Sequence, residues 1–194
     1  MKFFLYKSWG IAGIKFGFVQ VGSQVWTKWM HEAVKKCADY GLMVDIHDEY
    51  RPTGFSRTYP NLMTQEGIRG NEEFPDAIHN VTLPFTRFVA GAADYTICYY
   101  RQDFGRLNTD KDNYGVPRSK SIQTTPAHQL AAVYYSPLQY MYWYDKPSDS
   151  QDEPELKFFD DIYTTWDDTK VLQGEIGQFI TIAVVKGKSG LLVR

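Results

Sequence analysis

Two short apolar runs in this chain each empty into a cluster of carboxylates, and a loop rich in Pro, Gly and Arg lies between them. Leu42-Met43-Val44-Asp45-Ile46 leads into His47-Asp48-Glu49-Tyr50-Arg51-Pro52-Thr53-Gly54. Asn61-Leu62-Met63-Thr64-Gln65 leads into Glu66-Gly67-Ile68-Arg69-Gly70-Asn71-Glu72-Glu73. Acids gathered on one sheet edge repel one another unless a cation, a shared proton or a substrate offsets the cost. Two chemistries suit such a set. Glycoside hydrolysis needs one protonated and one ionised carboxyl on opposite faces of the scissile bond. Alternatively, the same oxygens could hold a hard cation, with Ca²⁺ the natural candidate where carboxylates converge with few histidines. The plainer readings are that Arg51, Arg57 and Arg69 pair with these acids, that Asp45 is a paired structural acid, and that Glu73 is solvated. His47 reads either as a structural histidine or, beside two acids, as part of the chemistry.

The flanking pattern must place these groups on strand ends. Gly13 to Val19 reads as a strand. From Gln24 to Tyr40, apolar residues recur at three- and four-residue spacing through Val25, Trp26, Trp29, Met30, Ala33, Val34, Cys37 and Ala38. Ser23 is placed to cap that helix and Gly41 to stop it. Strand character returns at 42–46, so one parallel crossover unit fits within about 35 residues. Further strands are expected at 61–65, 92–97 and 138–143, with broken helix at 74–90, a polar loop at 99–124 and a helix at 127–135. Beyond Trp166 the spacing changes to short strands with Gly turns, at 170–172, 179–185 and 190–193, which is an antiparallel pattern.

Five parallel-type strands with chemistry at their ends fit either an open α/β sheet or part of a (β/α)8 barrel. A full barrel takes roughly 250 residues. The fold class expected is therefore α/β: the second half of a (β/α)8 barrel at 1–145, a linker and connecting helix at 146–163, and the beginning of an antiparallel β-sandwich domain at 164–194. A formal net charge of -2 with scattered Lys and Arg gives no basic field for nucleic acid. No apolar run of about 18 residues is present to span a bilayer, and Met1 to Lys7 does not read as a signal peptide. Two cysteines do not indicate a disulfide framework. Fourteen Tyr, twelve Phe and five Trp suit core packing first, and stacking on sugar rings second.

At the acid clusters the sequence resembles a known family. Arg51-Pro52-Thr53-Gly54, Arg57-Thr58-Tyr59-Pro60-Asn61, Leu83-Pro84-Phe85-Thr86-Arg87, Gly91-Ala92-Ala93-Asp94-Tyr95-Thr96, Tyr135-Ser136-Pro137-Leu138-Gln139 and Thr165-Trp166-Asp167-Asp168 are similar to the catalytic domain of glycoside hydrolase family 97, the bacterial α-glucosidases and α-galactosidases. The resemblance implies Glu72 as general acid, Glu66 as a calcium ligand, Asp48 as a water-activating base near the calcium, and His47 as a substrate contact. Retaining members carry an Asp nucleophile where this chain has Gly17, so an inverting, α-glucosidase-like reaction is implied. Asp48 stands where the inverting members have Glu, one methylene shorter, which leaves Glu49 as the alternative base. Family members are about three times longer, and their N-terminal part supplies another base and another calcium ligand. The expectation is an oligosaccharide or α-glycoside substrate, a dependence on that N-terminal part, weak or no activity for this chain alone, and a periplasmic or secreted location. The other readings are a carbohydrate-binding remnant without turnover and an α-galactosidase-type relative.

Overall fold

The computed structural model describes residues 2–18, 20–48, 50–73, 75–98, 130–142 and 154–193, with backbone alone for 72, 98, 142 and 154–156. Helix α1 (Phe3–Ser8), a turn the sequence pattern did not suggest, buries Phe3 against the first layer. Strand β1 (Gly13–Phe16) ends three residues earlier than expected. Helix α2 (Gln24–Asp39) starts where the spacing puts it, because the Ser23 hydroxyl accepts from the Trp26 amide at 3.2 Å. Its buried face is Met30, Ala33, Val34 and Cys37, and each fully buried aliphatic side chain contributes about 1.5–3 kcal/mol. Trp26, one of the periodic apolar residues, is 36% exposed and packs edge-on against Trp29. Gly41, at φ +62, supplies the left-handed residue that ends the helix.

The chain then forms β2 (Met43–Ile46) and β3 (Leu62–Gln65), giving a parallel sheet in the order β1-β2-β3. The outward residues Ile14, Phe16, Val44, Ile46 and Leu62 pack on α2 in one hydrophobic cluster. The ladder slips by one residue between β2 and β3. Val44 faces Leu62, but Asp45 faces Thr64, which leaves Met63 as the extra residue.

After β3 the expected helical stretch is one short helix, α3 (Ala77–Thr82), capped by Asp76, followed by two 3₁₀ turns. Pro84 is the second residue of the first of those turns (Leu83–Phe85), where its missing N–H costs nothing. Strands β4 (Ile97–Cys98) and β5 (Met141–Tyr142) pair in parallel and are shorter than the sequence suggested. The reason on the β4 side is Asp94: its carboxylate accepts the amides of Thr96 and Tyr140, and Thr96 turns at φ +51, so residues 92–96 cannot run as regular strand. This segment still adjoins β3, since Asp94 donates its amide to the Gln65 carbonyl and Gln65 donates its side-chain amide to Ala92. Of the helix expected at 127–135, residues 130–133 are described and helical. The expected polar loop at 99–124 lies outside the described residues.

Helix α4 (Pro154–Asp161) leads to an antiparallel sheet of β6 (Asp168–Glu175), β7 (Phe179–Lys186) and β8 (Ser189–Val193), in that order. One face, with Ile182, Val184 and Val193, packs on Ala132 and Trp166. The fold is thus α/β with a parallel sheet, joined to a three-stranded antiparallel sheet. Among the described residues no helix is long and apolar enough to cross a membrane.

Candidate active site at the strand ends

Inward-facing residues of the parallel strands converge on one amine. On β1, Lys15 stands between Ile14 and Phe16, opposite in register to Asp45. Its Nζ donates to Glu66 Oε1 at 2.7 Å, Asp94 Oδ2 at 2.8 Å and Thr96 Oγ1 at 2.7 Å, and lies 3.3 Å from Asp45 Oδ2. It also sits 5.3 Å from the centre of the Tyr140 ring. Burial alone would make the Lys15 amine easier to deprotonate, but Asp94, Asp45 and Glu66 outweigh it and hold the ammonium charged well beyond its usual range. A cation that offsets the charge of Glu66 and Asp94 is therefore part of the chain.

Asp45 is fully buried, and neither of its oxygens has a hydrogen bond of acceptable geometry. Burial first, then the neighbouring Asp94 charge, push its carboxyl up to about 8, against the opposing pull of Lys15. Asp45 is then mostly neutral at pH 7, so Lys15 faces two ionised carboxylates rather than three.

His47 and Asp48 form the rim. His47 Nδ1 lies 2.7 Å from Asp48 Oδ1, and His47 Nε2 lies 3.7 Å from Glu66 Oε1. An ionised Asp48 fixes the tautomer with hydrogen on Nδ1. The amide of Asp48 donates to Glu66 Oε2 at 2.9 Å, so one glutamate bridges the buried lysine and the rim. Asp48 turns at φ +63 and Thr96 at φ +51. Left-handed backbone costs of order 1–3 kcal/mol at such residues and is concentrated at functional sites. Between them Gly67, at φ +57, makes a corner where a Cβ would lie 2.6 Å from the Tyr50 carbonyl oxygen.

His47, Asp48, Glu66 and Gly67 line a cleft of about 740 Å³ with Phe18, Arg51, Ile68, Arg69 and Glu73. The Phe18 ring lies 5.4 Å from His47. The site residues expected from sequence divide as follows. His47, Asp48 and Glu66 come together. Glu72 has its backbone in a 3₁₀ turn (Asn71–Glu73) at the cleft, while its side chain lies outside what is described, as does Glu49 entirely. Arg69 donates to the backbone carbonyl oxygen of Glu73 through Nε and Nη2. Lys15 and Thr96 were missed, and Asp94 was noted without a role. A lone lysine inside an apolar strand was the available signal for the first of these.

A family description, "Glycoside hydrolase 97", matches residues 1–68. Over nearly the whole chain, the retaining alpha-galactosidase of Bacteroides thetaiotaomicron is 35% identical across 193 residues, 94% of this chain and 28% of that protein. These matches support a fragment of glycoside hydrolase family 97. A probable retaining alpha-galactosidase of Streptomyces bingchenggensis is 30% identical over 92% of this chain and 26% of its own length. Among solved structures, a family 97 enzyme of Pseudoalteromonas sp. strain K8 in complex with acarbose matches with a TM-score of 0.71 and 27% identity, over 96% of this chain and 31% of that one. A beta-arabinopyranosidase matches with a TM-score of 0.73 and 25% identity. The chain spans less than a third of the length of these relatives.

Proposed function

We propose that this chain carries the acid-bearing part of an α-glycosidase site, on the second half of a (β/α)8 barrel, and that the site cleaves α-glycosides by water attack with inversion. The observation that carries this reading is the cleft itself: the bridged pair of His47 and Asp48 stands beside Glu66 at its rim, and Gly17 follows β1 with no atom of the described residues, its chain neighbours aside, within 4 Å of where its Cβ would be. A glycine has no nucleophilic side chain, and the open space leaves room for a sugar or a water. In this reading Asp48, oriented by the Nδ1–H of His47, takes the proton of the attacking water, with Glu49 as the alternative base. Glu72 protonates the leaving oxygen, and His47 directs Nε2 towards the sugar. Two of the relatives are named as retaining α-galactosidases. An α-galactoside is therefore the second substrate reading beside an α-glucoside.

Calcium fits this site by donor type and not by number. Asp48 and Glu66 offer the carboxylate oxygens that suit a hard cation, yet among the described residues no three acid or histidine side chains converge to hold one. Asp48 and Glu66 would supply one edge of the ion's shell, and the rest would come from other parts of a complete enzyme. When bound, the ion would keep the neighbouring carboxylates ionised and favour ionisation of a nearby water. The reading also carries an oligosaccharide or simple α-glycoside as substrate, a working partnership with the N-terminal part found in the longer relatives, and a periplasmic or secreted location.

Proton NMR of aryl α-glucoside and α-galactoside hydrolysis tests this directly. The expected first product is the β-anomer, formed slowly by this chain alone, with Asp48→Asn and Glu72→Gln each reducing turnover by on the order of 100-fold or more. An α-anomer formed first, or turnover indifferent to both substitutions, overturns the reading.

A further inference from the structure

Where parallel strands end and the chain turns sharply, backbone carbonyls lose their ladder partners and must be satisfied in another way. At the ends of β3 and of the 92–96 segment one side chain does this. The Arg87 guanidinium donates through Nε to Gly67 O at 3.2 Å and through Nη1 to Gly91 O at 2.9 Å. Through Nη2 it reaches Glu66 O at 2.8 Å, Ala92 O at 3.0 Å and, more distantly, Gln65 O at 3.4 Å. Five carbonyl oxygens from two separate segments thus converge on one planar group. The first segment carries Glu66 and the second carries Asp94, which are two of the acceptors holding Lys15.

We propose that Arg87 is a positioning residue, tying the backbone at 65–67 to that at 91–92 and so fixing the direction in which Glu66 and Asp94 present their carboxylates to Lys15 and the cleft. The inference rests on the reading of Glu66 as part of the working site. Arginine suits this place because its five N–H groups lie in one rigid fork, whereas a lysine offers three rotatable donors at a single point. Burial, with the nearby Arg51 charge second, lowers the Arg87 guanidinium to about 10, which leaves it charged at neutral pH. The same two segments are also joined by the Asp94 amide and the Gln65 side chain. Removing the fork therefore loosens the junction without deleting it.

The test uses the chain itself and follows the Lys15 ammonium by ¹H,¹⁵N NMR. In the wild type this group, held by three acceptors, gives a slowly exchanging signal. Arg87→Gln is expected to keep the circular dichroism spectrum while Lys15 proton exchange accelerates by on the order of tenfold, and Arg87→Lys to give a smaller acceleration. An arginine with a purely structural role would lower the melting temperature of both variants and leave the Lys15 signal unchanged, and that result overturns the inference. Should Arg87→Gln fail to fold, Arg87→Lys decides by the same criterion. Glu66→Gln tests the underlying reading separately, because glycoside turnover equal to wild type would remove Glu66 from the working site whatever Arg87 does.

Discussion

Two of the lysine–aspartate arrangements among the described residues differ sharply in their surroundings. In the parallel sheet, Lys15 is 14% exposed and faces Asp45, Glu66 and Asp94, which are 0%, 8% and 1% exposed. In the antiparallel sheet, Lys186 donates to Asp167 at 3.0 Å, with the two side chains 33% and 56% exposed. Taking charges out of water costs several kcal/mol per ion, and only close, complete pairing returns it. Water screens the second arrangement to near insignificance. The β-sheet pair decorates a surface, and it fixes a turn by also accepting the Gly187 amide. The strand-end arrangement, in contrast, is a costly structure that the fold keeps in one place, beside a cleft, with left-handed residues on either side.

The largest way to break this contrast is Lys15→Met. It leaves Glu66 and Asp94 charged and without their cation, and removing one partner of a buried pair costs about 3–5 kcal/mol. Urea unfolding should show that loss, and a cost below about 1 kcal/mol would mean the cluster is far better hydrated than its burial implies.

A pH series sharpens the same contrast. Because Asp45 binds its proton more tightly folded than unfolded, its contribution is complete below the ordinary carboxylate range, near 3.8, and is lost as pH rises towards about 8. Lys15, also raised, loses its own contribution only above its usual 10.5. Stability should therefore fall by on the order of 2 kcal/mol between about pH 5.5 and about pH 8.5, and Asp45→Asn should flatten that slope. A slope that persists in the Asn variant would place the proton elsewhere. The smallest effect belongs to Lys186→Ala, which is expected to leave the urea midpoint within error in low and high salt alike.

Much of the parallel layer could be read from the sequence because its signals are local. Ser23, the three- and four-residue apolar spacing and Gly41 specify α2 without reference to anything distant. The acids at 47–49 and 66–73 were visible for the same reason, each following an apolar run. What could not be read was the counter-charge. Lys15 lies 51 residues from Glu66 and 79 from Asp94, and no short-range pattern records that such positions meet. Likewise β4 and β5 proved shorter than their apolar content suggested, because the Asp94 side chain takes the amides of Thr96 and Tyr140. The family resemblance, carried by motifs such as Arg51-Pro52-Thr53-Gly54, located the site where composition and periodicity could only delimit it.

The slipped rung between β2 and β3 has a bearing on how such a site can be lost. Met63 is the surplus residue, and past it Thr64 pairs with Asp45 and Gln65 with Ile46, while the Glu66 amide still reaches the Ile46 carbonyl. Losing that methionine would only remove the bulge, with Thr64 still facing Asp45 and Gln65 still facing Ile46. Gaining one residue between Gln65 and Glu66 is different: side chains alternate faces along a strand, so the newcomer would stand beside His47, where Glu66 now is, and Glu66 would turn to the other face. Every chemically active residue would remain in the gene, in its original order, and the site would still be dismantled. A descendant of this protein that kept all of its acids but had gained one residue before Glu66 would score as intact in any inventory of motifs, and would be an empty shell.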